Sequence, residues 1–197
     1  LRIVEDWSDP ETRGHTIPGA RYTSKEFFEQ EWEGMWTKVW LLLGREAEIP
    51  NHGDWQMEEV GPEEVLMVRQ KDGGVKAFYN VCQHRGNKLV HSFEQPQEAA
   101  QSFKCKYHDW EYGLDGGFVD IPDLETFPQG APDCSGLASL PCDTWGSFVW
   151  FSLNPDVEPL KDYLGIIPEH LNPYHFERMV LTKTLTVEWD CNWKASV

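Results

Sequence analysis

The sequence predicts a mainly β chain: an antiparallel β-sandwich with two hairpin-borne ligand loops, a helix before it and the start of an α+β region after it. Three observations predict this. Runs rich in β-branched and aromatic residues recur between Gly- and Asp-bearing turns. One stripe of helical period precedes them. Two short Cys/His pairs, Cys82-Gln83-His84 and Cys105-Lys106-Tyr107-His108, fall where strands give way to turns.

In chain order, residues 1–22 read as irregular, with Pro10, Gly14, Pro18 and Gly19. Thr23 is expected to cap a helix, Glu26 completing a capping box. Phe28, Trp32, Met35, Trp36 and Val39 then share one helical face, which reads as core rather than ligand pocket. Residues 40–43 continue as a buried strand. Residues 65–70 and 75–81 are strand-forming runs joined by Lys71-Asp72-Gly73-Gly74, a hairpin signal. Cys82 sits where the second strand ends. Residues 91–101, with Pro96, read as a polar surface loop. Phe103-Lys104 enters the second pair, and residues 110–114 and 118–119 flank Asp115-Gly116-Gly117, a second hairpin signal. A proline-bearing loop (121–136), an apolar strand (146–153), a short helix (160–165) and an alternating strand (179–189) complete the reading. The division is an arm and amphipathic helix at 1–40, a β domain at 41–155, and a linker with the first segment of a further domain at 156–197.

The chain has 197 residues and a formal net charge of −16. Such a surface repels phosphate backbones, so nucleic acid is not expected as a partner, nor an anionic membrane. No stretch is long and apolar enough to span a bilayer. Two of the five cysteines belong to the pairs. Cys134, Cys142 and Cys191 read as reduced thiols, which with the absence of a secretory segment leads to a cytoplasmic expectation. Arg85, Lys88, Lys104 and Lys106 flank the pairs; they read either as a patch for an acidic electron donor or as solvated loop charge.

Each pair offers one thiolate and one imidazole. Four thiolates would be needed for a ferredoxin-type [2Fe–2S] cluster, and no further cysteines lie near these loops. Two imidazoles in place of two thiolates on one iron make a Rieske centre. A structural zinc site draws on the same residue types, but the Cys, His, Cys, His order does not match a zinc finger.

Cys82-Gln83-His84-Arg85-Gly86 and Cys105-Lys106-Tyr107-His108-Asp109-Trp110-Glu111-Tyr112 resemble the cluster loops of Rieske non-heme iron oxygenases, the aromatic ring-hydroxylating family. The resemblance implies a Rieske-type fold in which Cys82 and Cys105 hold the inner iron and His84 and His108 the outer one. Arg85, Gly86 and Trp110 would surround the cluster, tuning its potential, turning the backbone near the sulfides and excluding water. Residues 189–194, ending in Asn192-Trp193-Lys194, resemble the segment by which family members enter their catalytic domain. The mononuclear Fe(II) and its two-histidine, one-carboxylate set would lie in that domain, beyond this sequence.

The resemblance further implies an electron-relay role in the oxygenase large (alpha) subunit, which hydroxylates or oxidatively demethylates an aromatic or related small organic substrate with O₂. A ferredoxin, a flavin reductase or both would be the electron donor. The full-length protein is expected to be a homotrimer, with or without beta subunits, and the 197-residue piece to be inactive alone. The alternative is a stand-alone Rieske ferredoxin carrier. Respiratory Rieske proteins carry an extra disulfide, whose positions correspond to Asn87 and Tyr107 here. With fewer donors to the sulfurs expected than in those proteins, the potential is placed near the low end, about −150 mV. His170 and His175, beside Glu169, imitate a triad pair, but Pro173 breaks any helix that would align them. His15, His52 and His91 lack partners at ligand spacing.

Overall fold

The computed structural model describes residues 17–91, 99–128 and 136–196. The expectations for residues 1–16, most of the 91–101 loop, Cys134 and the middle of the proline-bearing loop lie outside these.

Helix α1 (Ala20–Thr23) is a single turn, followed by α2 (Lys25–Glu31). Ser24, one residue later than expected, caps α2: its hydroxyl accepts from Phe27 N–H at 3.0 Å. Thr23 instead closes α1. A π-helical turn (Trp32–Trp36) follows, with Thr37 N–H reaching the Trp32 carbonyl. The expected core stripe is corrected here, because this helix lies on the outside of the β domain. Phe28 is exposed and Trp32, Met35, Trp36 and Val39 are half-buried. Trp32 lies over the Gly61 turn, while Trp36 meets Trp193 edge-on with ring centroids 5.0 Å apart. Lys194 Nζ sits 2.8 Å from both carboxylate oxygens of Glu31.

The β strands are β1 (Trp40–Arg45), β2 (Trp55–Val60), β3 (Glu63–Arg69), β4 (Val75–Tyr79), β5 (Phe103–Lys104), β6 (Glu111–Tyr112), β7 (Phe118–Asp120), β8 (Ser139–Leu140), β9 (Cys142–Trp145) and β10 (Phe148–Ser152). They form three small antiparallel sheets in the orders β1-β10-β9, β2-β3-β4-β8 and β5-β6-β7. The middle sheet is buried on both faces, which explains the unbroken apolar run of β3. Val65 and Met67 pack with Leu43, Val149 and Phe151 of the first sheet; Leu66 and Val68 pack with Cys82, Phe103, Cys105 and Tyr112 on the other side. All four β3 residues are wholly inaccessible. At roughly 1.5–3 kcal/mol for each fully buried side chain, this strand is a principal anchor of the fold.

Both expected hairpins form. In the β3–β4 hairpin Gly73 takes φ 87°, and the Asp72 carboxylate accepts from Gly74 N–H. In the β6–β7 hairpin Gly116 takes φ 89° and lies so close to Phe78 that a Cβ would fall 2.4 Å from the ring. Strand β2 is absent from the sequence reading, because Glu58-Glu59 breaks its alternation.

After β10, α3 (Leu160–Leu164) covers Trp40, and α4 (Ile167–Leu171) follows. Residues 179–189, expected as a strand, form none. Every side chain there is exposed, and no strand among the described residues pairs with this segment. Alternation marks two faces; a strand also needs a partner for its backbone groups. No helix among the described residues is long and apolar enough to cross a membrane.

Candidate metal centre

The first ligand loop follows β4 of the middle sheet and the second joins β5 to β6 of the third, and their backbones are built alike. In the first, Cys82 N–H donates to the Asn87 carbonyl at 2.8 Å and Gly86 N–H to the Cys82 carbonyl at 3.0 Å. In the second, Cys105 N–H donates to the Trp110 carbonyl at 2.8 Å and Asp109 N–H to the Cys105 carbonyl at 2.9 Å. Each cysteine thus opens a turn closed four and five residues later, and the fourth residue is left-handed: Gly86 at φ 72°, Asp109 at φ 59°. Among the described residues, nothing beyond the chain neighbours lies within 4 Å of where a Gly86 Cβ would stand. Within the chain, glycine there serves the backbone angle.

The four sequence-chosen side chains fall into two pairs, cysteine with cysteine and histidine with histidine. Cys82 and Cys105 are 1% and 2% exposed and interact with one another. The His84 and His108 rings lie 4.7 Å apart, tilted by 69°. His84 stacks on Trp110 at 4.7 Å and 12°, and Trp110 is itself buried against Phe118 and Phe127. His108 is exposed beside Tyr107. Both histidines line an open cleft of about 460 Å³ with Tyr107, Asp109, Asp123 and Phe127.

His84 Nδ1 is buried and has no hydrogen-bond partner among the described residues. Such an orphan costs about 1–3 kcal/mol, and a bound metal would remove the cost. Burial, aided by the positive charges of His108 and Arg85, holds His84 below the usual histidine range. The neutral ring is the form that ligates. The buried thiols are likewise suited to a metal that displaces their protons. Among the described residues no three His, Cys, Asp or Glu side chains converge closely enough for a single ion. A diiron cluster takes its ligands in two pairs, one pair per iron, so the arrangement fits a [2Fe–2S] group better than a lone zinc.

The sequence reading did not single out three supporting residues. Tyr112 Oη lies 3.1 Å from Cys82 Sγ and accepts from Gln83 N–H at 2.9 Å, which leaves its own proton for the sulfur. Asn87 Nδ2 lies 3.8 Å from Cys105 Sγ. Each sulfur thus has one side-chain partner, Tyr112 for Cys82 and Asn87 for Cys105. Asn80 is wholly buried and uses all of its side chain: Oδ1 accepts from Leu89 and Val90 N–H, and Nδ2 donates to the Val90 carbonyl and to Glu64. It pins the far end of the first loop.

The flanking basic residues are less available than the sequence suggests. Lys88 pairs with Glu64, and Lys104 lies 3.9 Å from Asp109. Arg85 is exposed at the loop tip. His170 and His175 do not assemble a site: His175 is left-handed after a 3₁₀ turn containing Pro173, and its ring meets Glu177. His52 is exposed on a turn. Cys82, Cys105, Cys142 and Cys191 form no disulfide. Burial pushes the Cys142 thiol up to about 12.

Residues 39–141 match the Rieske [2Fe-2S] domain family. The large oxygenase component of the 2,4-dinitrotoluene dioxygenase system of Burkholderia sp. (strain RASC) is 34% identical over 165 residues, covering 82% of this chain and 35% of that protein. The glycine betaine monooxygenase oxygenase subunit of Pseudomonas aeruginosa (strain UCBPP-PA14) is 30% identical over 185 residues, covering 93% and 42%. Among solved structures, a quaternary ammonium Rieske monooxygenase superposes with a TM-score of 0.83 at 28% identity, over 91% of this chain and 52% of that one. A naphthalene 1,2-dioxygenase superposes at 0.68 and 31%, over 77% and 34%. The chain spans between a third and about half of the length of these relatives.

Proposed function

The chain belongs to the Rieske [2Fe-2S] domain family and is related to oxygenase large subunits; on that premise we propose that it is the electron-relay part of a terminal oxygenase. Cys82 and Cys105 would hold one iron of the cluster, and His84 and His108 the other. The observation that carries this assignment is the buried, unpartnered Nδ1 of His84 beside the His108 ring. When bound, the cluster supplies one-electron storage. The chain's residues do the rest: Trp110 fixes the His84 ring, Tyr112 shares its proton with Cys82 Sγ, and the core formed by Phe103, Phe118 and Ile121 keeps water from the sulfurs. The exposed edge of His108 is the face offered to a redox partner.

The proposed division keeps residues 41–155 as the cluster domain and 156–197 as the approach to a catalytic domain that holds a mononuclear Fe(II). The whole protein then hydroxylates or oxidatively demethylates an aromatic or related small organic substrate with O₂. Its donors are a ferredoxin, a flavin reductase or both, and its assembly is a homotrimer with or without beta subunits.

Reconstitution tests the reading. The chain should take up two irons and two sulfides and show a rhombic Rieske EPR signal after reduction. His108→Cys restores a thiolate, so it should lower the midpoint potential and alter the signal. One zinc per chain without sulfide, or an unaltered His108→Cys spectrum, would overturn the ligand assignment.

A further inference from the structure

We infer that Asn87 is a positioning residue that ties the first ligand loop to the second through Cys105 Sγ and raises the reduction potential of the bound cluster. The inference rests on the ligand assignment above. Its geometric basis is reciprocity. Tyr112, beyond the second loop, donates to the first loop's Cys82 sulfur, and Asn87, in the first loop, faces the second loop's Cys105 sulfur. Each thiolate therefore receives one hydrogen bond from the opposite side of the site.

The Asn87 amide is not free to swing elsewhere. One of its two N–H groups is taken by the Lys88 carbonyl at 2.8 Å, leaving the second for Cys105 Sγ at 3.8 Å. Its backbone carbonyl accepts from Cys82 N–H, and the next residues, Leu89 and Val90, are held by Asn80. The amide is half-buried, so water replaces it poorly if it is removed. A donor aimed at a thiolate stabilises negative charge. Reduction adds one electron to the cluster, so the bond is stronger in the reduced state, and its loss favours the oxidised state.

The test is an EPR-monitored redox titration of the reconstituted chain and two variants. Asn87→Asp keeps the shape and replaces the donor with a carboxylate; Asn87→Leu removes the donor without adding charge. Both leave the backbone carbonyl that holds Cys82. At a fixed poise, the oxidised-to-reduced ratio should rise about threefold to tenfold in Asn87→Leu, the range of one ordinary hydrogen bond, and further in Asn87→Asp. A merely structural role would speed cluster loss and leave the midpoint where it is in the protein that remains. Unchanged midpoints in both variants overturn the inference. Should Asn87→Leu hold no cluster, retention in Asn87→Gln, which keeps a donor, supports it, and loss in both overturns it. A wild-type chain that shows no Rieske signal instead overturns the ligand assignment, which separates the two failures.

Discussion

The two ligand loops share one backbone frame and differ in nearly everything laid upon it. Both begin at a cysteine whose N–H and carbonyl close the turn, and both place a left-handed residue four positions on. The first is anchored from beneath by the saturated Asn80 amide, and its histidine is half-buried on an indole. The second projects into solvent, with His108 and Asp109 exposed. The frame thus holds the two cysteines alike, while burial leaves one imidazole sheltered and the other an outward edge. A centre that must keep its charge dry and still exchange electrons needs both.

The likeness of the frames is tested most severely at the sulfurs. Cys82→Ala and Cys105→Ala should each abolish cluster uptake, read as iron and sulfide falling to background; retention in either would break the equivalence. The asymmetry of anchoring comes next. Asn80→Ala strands two buried N–H groups and a carbonyl, and should cost about 2–4 kcal/mol in urea unfolding. Hydrogen exchange should quicken at Leu89 and Val90 far more than at Asp109. Tyr112→Phe should then lower the midpoint potential by about 20–60 mV, the loss of one hydrogen bond in a one-electron couple. The smallest effect sharpens the shared left-handed position. Asp109→Gly should change stability by no more than about 0.5 kcal/mol, its relief of backbone strain offset by chain entropy. Gly86→Asp should cost about 1 kcal/mol, measured by the same unfolding curves.

The candidate ligands of the proposed site, Cys82, His84, Cys105 and His108, stood out in the sequence because metal chemistry restricts residue type and spacing, and Asp-Gly turns announced both hairpins. Trp110 was reachable through the family resemblance. Asn80, Asn87 and Tyr112 were not legible, because an amide or a phenol matters here only through what lies opposite it across a second loop. The helical stripe from Phe28 to Val39 misled for a related reason: periodicity reports a face, and only packing says how deeply that face is covered. Residues 179–189 misled through alternation without a partner.

The ion pair between Glu31 and Lys194 joins residues 163 positions apart. At ribosomal rates of roughly 5–20 residues per second, about 10–30 s separate the emergence of its two halves. For that interval α2, bearing Phe27 and Glu31, and the π-helical turn bearing Trp36 have neither their cation nor their indole neighbour. Nascent chains stalled between these two points should present those aromatic rings to any chaperone that samples them.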